Sequence, residues 1–169
     1  MDNRKKARQY IEEALMSLLR NKGLDEITVS DVVKKAGVCR SSFYRNYLNL
    51  DAVIDSYLDK ISDEFRTASC QSTDVRSLLV NSFRLIRSKK ETFMILHERK
   101  MTEKIFHLVY DVALNEIQRL TVLNNRYQPY FFAGASASVL IAWLDNSFEE
   151  TEDEMAELFI GSLKGYMPL

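Results

Sequence analysis

An all-α fold is predicted for this 169-residue chain by three observations. Apolar residues recur three and four apart along most of its length, the spacing that gathers them on one face of a helix. Glycine (5) and proline (2), which supply tight turns and break helices, are scarce. Between Ile27 and Tyr47 a helical pattern ends at Ala36-Gly37-Val38 and restarts within two residues as Cys39-Arg40-Ser41-Ser42-Phe43-Tyr44-Arg45-Asn46-Tyr47. That is the pattern of two short helices joined by a tight glycine-containing turn.

The first helix is expected from Asn3 to Lys22, with Ala7, Ile11, Ala14, Leu15, Leu18 and Leu19 on its apolar face and Gly23 as its stop. Thr28 is the expected N-cap of the second, with Asp31 three residues on in a capping-box arrangement and Val29, Val32, Val33 and Ala36 as the buried stripe. The restarted helix buries Val38, Phe43 and Tyr47. Asn49 caps a fourth helix, which carries Val53, Ile54, Leu58, Ile61 and Phe65 inward. The polar stretch 67–74 reads as a loop, and helices follow near 74–88, 91–99, 102–123, 129–147 and 152–166. Thr102 and Thr151 suit N-cap positions. Thr151 with Glu154 makes a second capping box, so the acidic run from Glu149 to Glu157 is mainly a helix start.

Composition bounds the function. Residues 1–50 carry ten Lys and Arg against six Asp and Glu, a net of +4, whereas residues 51–169 carry thirteen against eighteen, a net of −5. A basic head on an acidic body points one end of the chain at a polyanion. Cys39 and Cys70 stand apart from each other and from any ligand-spaced His, so neither a zinc site nor a disulfide framework is expected, and two isolated thiols suit the cytoplasm. His97-Glu98 lacks the second His of a metalloprotease helix. With no glycine-rich phosphate loop and no nucleophile motif, neither an enzyme nor a cofactor is expected. The N-terminus has no signal-peptide pattern, and the uncharged run Tyr127–Leu144 is too polar and short for a membrane span.

The restarted helix has an apolar side and a side of Arg, Ser, Tyr and Asn, the types that touch phosphates and base edges. Double-stranded DNA is the partner these residues suit. Arg40, Ser41 and Ser42 open the helix, where side chains reach bases, and Arg40 suits a bidentate contact to guanine. Tyr44 offers a hydroxyl to phosphate, while Arg45 and Asn46 are candidate groove or backbone contacts. Thr28 can cap its helix and meet phosphate. Arg4, Lys5, Lys6 and Arg8 form a basic cluster, with Lys5 the candidate arm contact.

Over residues 7–58 the chain resembles the tetracycline-repressor (TetR) family of bacterial regulators. The likeness rests on Gly23, Thr28-Val29, Ala36-Gly37-Val38, Phe43-Tyr44-Arg45, Tyr47 and Asn49 before a helix. It implies a DNA-binding domain over 1–48 and a helical effector-binding and dimerisation domain over 49–169. It also implies a homodimer acting as an effector-responsive repressor on a palindromic operator, and it makes Tyr44 the phosphate-contacting tyrosine. Three positions depart from the family. Cys39 replaces the usual Ser cap at a cost of about 1 kcal/mol, Asn46 replaces a common His, and Leu50 replaces a common phosphate-touching Lys. The loss at Leu50 supports a second function class, a helical protein-interaction module that keeps the scaffold and works through a protein partner. Trp143-Leu144 and Thr151 to Leu158 resemble the end of the family's shorter regulatory domains.

A small-molecule effector pocket is expected among Phe93, Met94, His97, Phe106, Tyr110 and Phe131, with Met101, His107 and Tyr130 nearby on the same helices. Six small residues in a row, Ala133 to Ser138, together with Met155, Leu158, Phe159 and Leu163, are expected to form the dimer contact.

Overall fold

The computed structural model describes residues 3–70, 72–120 and 125–163, and among them the chain forms helices and turns without a strand. Contacts divide it into two compact units, Met1–Lys60 and Ile61–Leu169.

The first unit begins with α1 (Asn3–Leu19), α2 (Val29–Ala36) and α3 (Arg40–Asn46), which pack on one another, and it contains the start of α4 (Leu50–Ser69). Its centre is Ile11, Leu15 and Leu19 of α1, Val32 of α2, Phe43 of α3 and Val53 and Ile54 of α4, each at most 1% exposed. Burying each such side chain stabilises the fold by roughly 1.5–3 kcal/mol. Helix α1 stops at Leu19, short of the expected Lys22, because its apolar stripe ends there and the amides of Asn21 and Lys22 turn back onto the Leu18 carbonyl at 3.1 Å. Gly23, the expected stop, lies four residues past the end of α1. Its backbone is extended (φ −67°, ψ 157°) and opens a single 3-10 turn over Leu24–Glu26.

The α2–α3 turn follows the sequence pattern closely. Thr28 Oγ1 accepts from the Asp31 amide at 3.1 Å, and Asp31 Oδ2 accepts from the Thr28 amide at 2.9 Å. At the other end Gly37 takes the left-handed conformation (φ 66°, ψ 30°), its N–H meets the Lys34 carbonyl, and the Val38 N–H meets the Val33 carbonyl. This is the Schellman closure, which suits glycine because no Cβ crowds the backbone at that φ. Cys39 makes no side-chain cap to α3, whereas Asn49 Oδ1 accepts from the Ala52 amide at 2.8 Å and caps α4.

The second unit holds the end of α4, α5 (Val75–Ser88), α6 (Lys90–Glu98), α7 (Thr102–Leu120), α8 (Gln128–Asp145) and α9 (Glu152–Leu163). Here α7 packs on α8, α5 on α9, and α6 on α5, α7 and α8. Helix α4 runs to Ser69, into the stretch expected to be loop from residue 67. The expected continuations to 123 and 166 lie outside the described residues, as does the Leu163 side chain. The capping box at Thr151 and Glu154 forms as expected, whereas the Thr102 hydroxyl meets His97 Nδ1 at 3.0 Å. Of the acidic run, Glu152 pairs with Arg87, and Asp153 and Glu157 pair with Arg76, so some of it also ties α9 to α5.

Two helix ends here use left-handed residues that are not glycine, Lys100 (φ 60°) after α6 and Ser147 with Phe148 (φ 55° and 61°) after α8. Such a residue costs roughly 1–2 kcal/mol. At Phe148 that cost is offset by burial, since its ring lies 4.6 Å from that of Trp143 and the Arg87 guanidinium stacks 4.9 Å from the Trp143 ring.

Candidate nucleic-acid interface and ligand cavity

The left-handed turn at Gly37 and the burial of Phe43 together fix which side of α3 faces out. Arg40, Ser41, Tyr44 and Arg45 are exposed, and Tyr44 keeps 51% of its surface in solvent. The Arg40 guanidinium lies 5.7 Å from the centre of the Tyr44 ring, one helical turn on, and its Nη2 is 3.4 Å from the Tyr44 hydroxyl. The pair places a fork of N–H donors beside a phenol, which suits a base edge and an adjacent phosphate. Lys5 is exposed on α1.

Other candidates are committed to internal bonds. Asn46 Nδ2 donates to the Ser42 carbonyl at 2.7 Å, and its Oδ1 accepts from Arg4 Nε at 3.4 Å. Asn46 therefore ties α3 to itself and to α1. The Thr28 hydroxyl directs its one proton at Asp31 Oδ2, 2.6 Å away. These bonds hold the Asp31 carboxyl below its ordinary range, the Thr28 hydroxyl contributing most. Ser41 Oγ contacts Cys39 Sγ at 3.2 Å, and this hydrogen bond is the first cause that lowers the Cys39 thiol. Ser42 is partly buried beneath the exposed face.

Sequence reasoning missed the polar network behind α3. Glu12 on α1 is 2% exposed, and its Oε1 accepts from the Tyr47 hydroxyl at 2.5 Å and from Ser56 Oγ of α4 at 3.0 Å. Lys60 closes an ion pair on Glu12 Oε2, while Arg8 donates to Ser56 at 2.7 Å and stacks 5.1 Å from the Tyr47 ring. Burial first, and the Glu12 carboxylate second, push the Tyr47 phenol up. The signal for it is the place of Glu12 on the α1 stripe, three and seven residues before Leu15 and Leu19.

In the second unit an apolar cavity of about 40 Å³ opens between α4, α5, α7 and α8. Leu78, Leu79, Phe83 and Ile86 of α5 form one wall, and Phe65 closes it from α4. Val109, Val112 and Ala113 of α7 face Phe132 of α8. Three polar side chains join them: Ser82, Glu116 and Ser136.

None of the six residues expected to line a pocket lines this one. Phe93 is fully buried; Met94 is half-buried; Phe106 and Tyr110 stack on each other along α7, 6.0 Å apart. His97 bridges the ends of three helices, with Nδ1 on Thr102 and Nε2 on Asp145 at 2.9 Å. Phe131, 53% exposed, faces a different groove between α8 and α9, beside Ala135, Val139, Ala142, Leu158 and Phe159. The small-residue run divides: Ala133 and Ala137 are wholly buried within the unit, while Ala135 and the later Ala142 line the outer groove.

A three-helix head with an outward-facing second helix of a pair, followed by a helical unit around an apolar cavity, is the make-up of a helix-turn-helix transcriptional regulator. A family model for the C-terminal region of transcriptional regulators (TetR_C_8) matches residues 74–165. The chain belongs to the TetR family of transcriptional regulators, as the resemblance over residues 7–58 implied. The uncharacterized HTH-type transcriptional regulator YvdT of Bacillus subtilis (strain 168) is 23% identical over 171 residues, covering 89% of this chain and 88% of its own. Among solved structures, the dihydroxyacetone kinase operon activator DhaS superposes with a TM-score of 0.63 at 13% identity, over 95% of each chain. The regulator FadR of Bacillus subtilis, solved with stearoyl-CoA, has a TM-score of 0.61 at 13% identity, over 94% of this chain and 98% of its own. Among the described residues no helix is long and apolar enough to cross a membrane.

Proposed function

We propose that the chain is a homodimeric repressor that binds an inverted-repeat operator through α3 and releases it when a small, largely apolar effector enters the second unit. It carries out no catalysis and needs no cofactor. The observation that carries this reading is the exposed Arg40–Tyr44 pair, presented by a helix whose inner face is locked by Phe43 and whose entry angle is set by Gly37. The domain border falls near the start of α4, with residues 1–48 as the DNA-binding module. Arg40 and Ser41 reach base edges. Tyr44 and Arg45 meet phosphates, and Lys5 adds a backbone contact. Asn46 and Ser42 act by holding α3 in place. Thr28 meets phosphate only if its hydroxyl turns away from Asp31.

Dimerisation is assigned to the α8–α9 groove, where Phe131, Ala142 and Leu158 expose apolar surface on neighbouring helices. The effector role rests on the apolar cavity, and the stearoyl-CoA complex of the FadR neighbour gives a precedent for an apolar effector in this fold.

The test is selection of genomic fragments by the purified protein, followed by mobility shift. Recovered sites should be inverted repeats with half-sites one or more helical turns, roughly 34–36 Å, apart. Binding should weaken steeply with salt, as Lys and Arg displace counterions. Sites without dyad symmetry would count against the dimer. Failure to retain any DNA would favour the protein-interaction module, a reading supported by Leu48, 83% exposed between α3 and α4.

A further inference from the structure

The cavity in the second unit is unusual in its polar groups rather than its apolar walls. Among the described residues no Lys, Arg or His lines it. Its polar side chains are Ser82, Glu116 and Ser136, the last two facing one space from α7 and α8. Ser136 Oγ is buried and has no hydrogen-bond partner among the described residues. Glu116 is 9% exposed, and Arg119 Nε takes Oε2 at 3.1 Å, while Oε1 has no hydrogen bond among the described residues. A carboxylate is acceptor-only, and a serine hydroxyl can accept as well as donate. Among the described residues the wall therefore holds unused acceptors, and the cation beside them, Arg119, is outside the lining and already paired with Glu116 Oε2. Such a wall suits a guest whose polar end donates hydrogen bonds, and it disfavours a second carboxylate or a phosphate, which would meet Glu116 as a like charge. The narrow free space fits a slim alkyl chain better than a fused ring system.

We propose that the ligand class of this cavity is an apolar molecule ending in a protonated amine, received by Glu116 and Ser136, rather than an anionic acyl derivative. This rests on the reading that the cavity is the effector site.

The full-length protein is titrated calorimetrically with four probes of one chain length: octylamine, 1-octanol, octanoate and octanoyl-CoA. Operator affinity is measured with each. Octylamine should bind tightest, octanol next, and octanoate at least about tenfold more weakly than the amine. Glu116→Gln should cut octylamine affinity by about tenfold and leave octanol within about twofold. Because Glu116→Gln also removes the partner of Arg119, Ser136→Ala provides a second probe: it deletes an unpaired group, should fold normally, and should weaken amine and alcohol alike by a few-fold. Octanoate or octanoyl-CoA binding as tightly as octylamine, and releasing DNA, would overturn the amine inference while leaving the effector reading standing. So would retention of the amine preference in a folded Glu116→Gln protein. If no probe binds and none moves DNA affinity, the effector reading of the cavity falls, and this inference falls with it.

Discussion

Within Met1–Lys60 the outward face of α3 comes from neighbouring residues, Arg40 to Arg45, whereas the cavity of Ile61–Leu169 draws on four helices and on residues from Phe65 to Ser136. The first surface depends on one turn and one buried ring, so a motif of about twenty residues specifies it. The second depends on how long helices meet, and no short stretch specifies that. The contrast extends to the charged groups. In the first unit Glu12 is buried with a hydroxyl on either side and a lysine on its second oxygen. In the second, Glu116 lines a cavity, and its Oε1 has no hydrogen bond among the described residues.

The largest test of this contrast is at the proposed dimer face. Ala142→Arg places a charge in the α8–α9 groove, and burying an unpaired charge costs several kcal/mol. Sedimentation at micromolar concentration should show the unaltered protein as a dimer and the variant as a monomer, with each unit still folded. Ala137 is the wrong probe for this purpose: it is wholly buried within the unit, so a charge there would unfold the protein rather than separate a dimer. A dimer that survives Ala142→Arg would move the interface to another face.

Next in size is Glu12→Gln. Hydrogen bonds to a charged group are worth about 1.5–3 kcal/mol each, and the Lys60 pair adds less because Lys60 is half-exposed. Urea unfolding should show a loss of about 2 kcal/mol, and DNA affinity should fall although Glu12 touches no DNA. Unchanged DNA affinity in a destabilised variant would make the network a matter of stability alone.

How far the sequence reveals each unit follows from these packing differences. The α2–α3 pair, the Thr28 and Thr151 boxes and the Asn49 cap are local, set by residues within four of one another, and they appear as read. Aromatic content does not mark the cavity, because Phe93 and the Phe106–Tyr110 pair pack elsewhere. The better marker is a polar residue on an apolar stripe. Glu116 follows Ile105, Val109 and Val112 on α7, and Ser136 stands between Phe132 and Leu140 on α8. The two faces of Ala133–Ser138 are likewise hidden, because small residues give no amphipathic signal with which to orient α8.

A smaller effect separates two kinds of contact within the first unit. Arg40→Ala should lose about 1–3 kcal/mol of discrimination at one base pair per half-site. Lys5→Ala should weaken all sequences alike and flatten the log–log salt dependence by roughly one unit for each phosphate it no longer neutralises. Titrations against an operator and its single-base variants, at several salt concentrations, tell the two apart. Were Arg40→Ala to keep the original base preferences, specificity would have to come from Ser41 or from DNA shape.

The smallest effect should be the same in both units, because it arises from local geometry that both share. Asp31, Asp74 and Glu154 each close a capping box and each sit below the ordinary carboxylate range. The Thr28 hydroxyl is the main cause for Asp31, the Ser77 amide for Asp74 and the Thr151 amide for Glu154. A carboxyl whose pKa is lower folded than unfolded stabilises the fold fully above its unfolded pKa, and that stability fades as pH falls through the folded value. The caps should therefore hold between pH 7 and about 5 and weaken below about 4. Asp74 and Glu154 are exposed and Asp31 is partly exposed, so each contribution is slight and is best read locally. Amide hydrogen exchange in α2 should quicken for Asp31→Asn at neutral pH, and exchange in α9 for Glu154→Gln, with each variant approaching the unaltered protein as acid protonates the native carboxyl. Equal acceleration at pH 7 and pH 3 would show that the side chain's shape, and not its charge, holds the helix start.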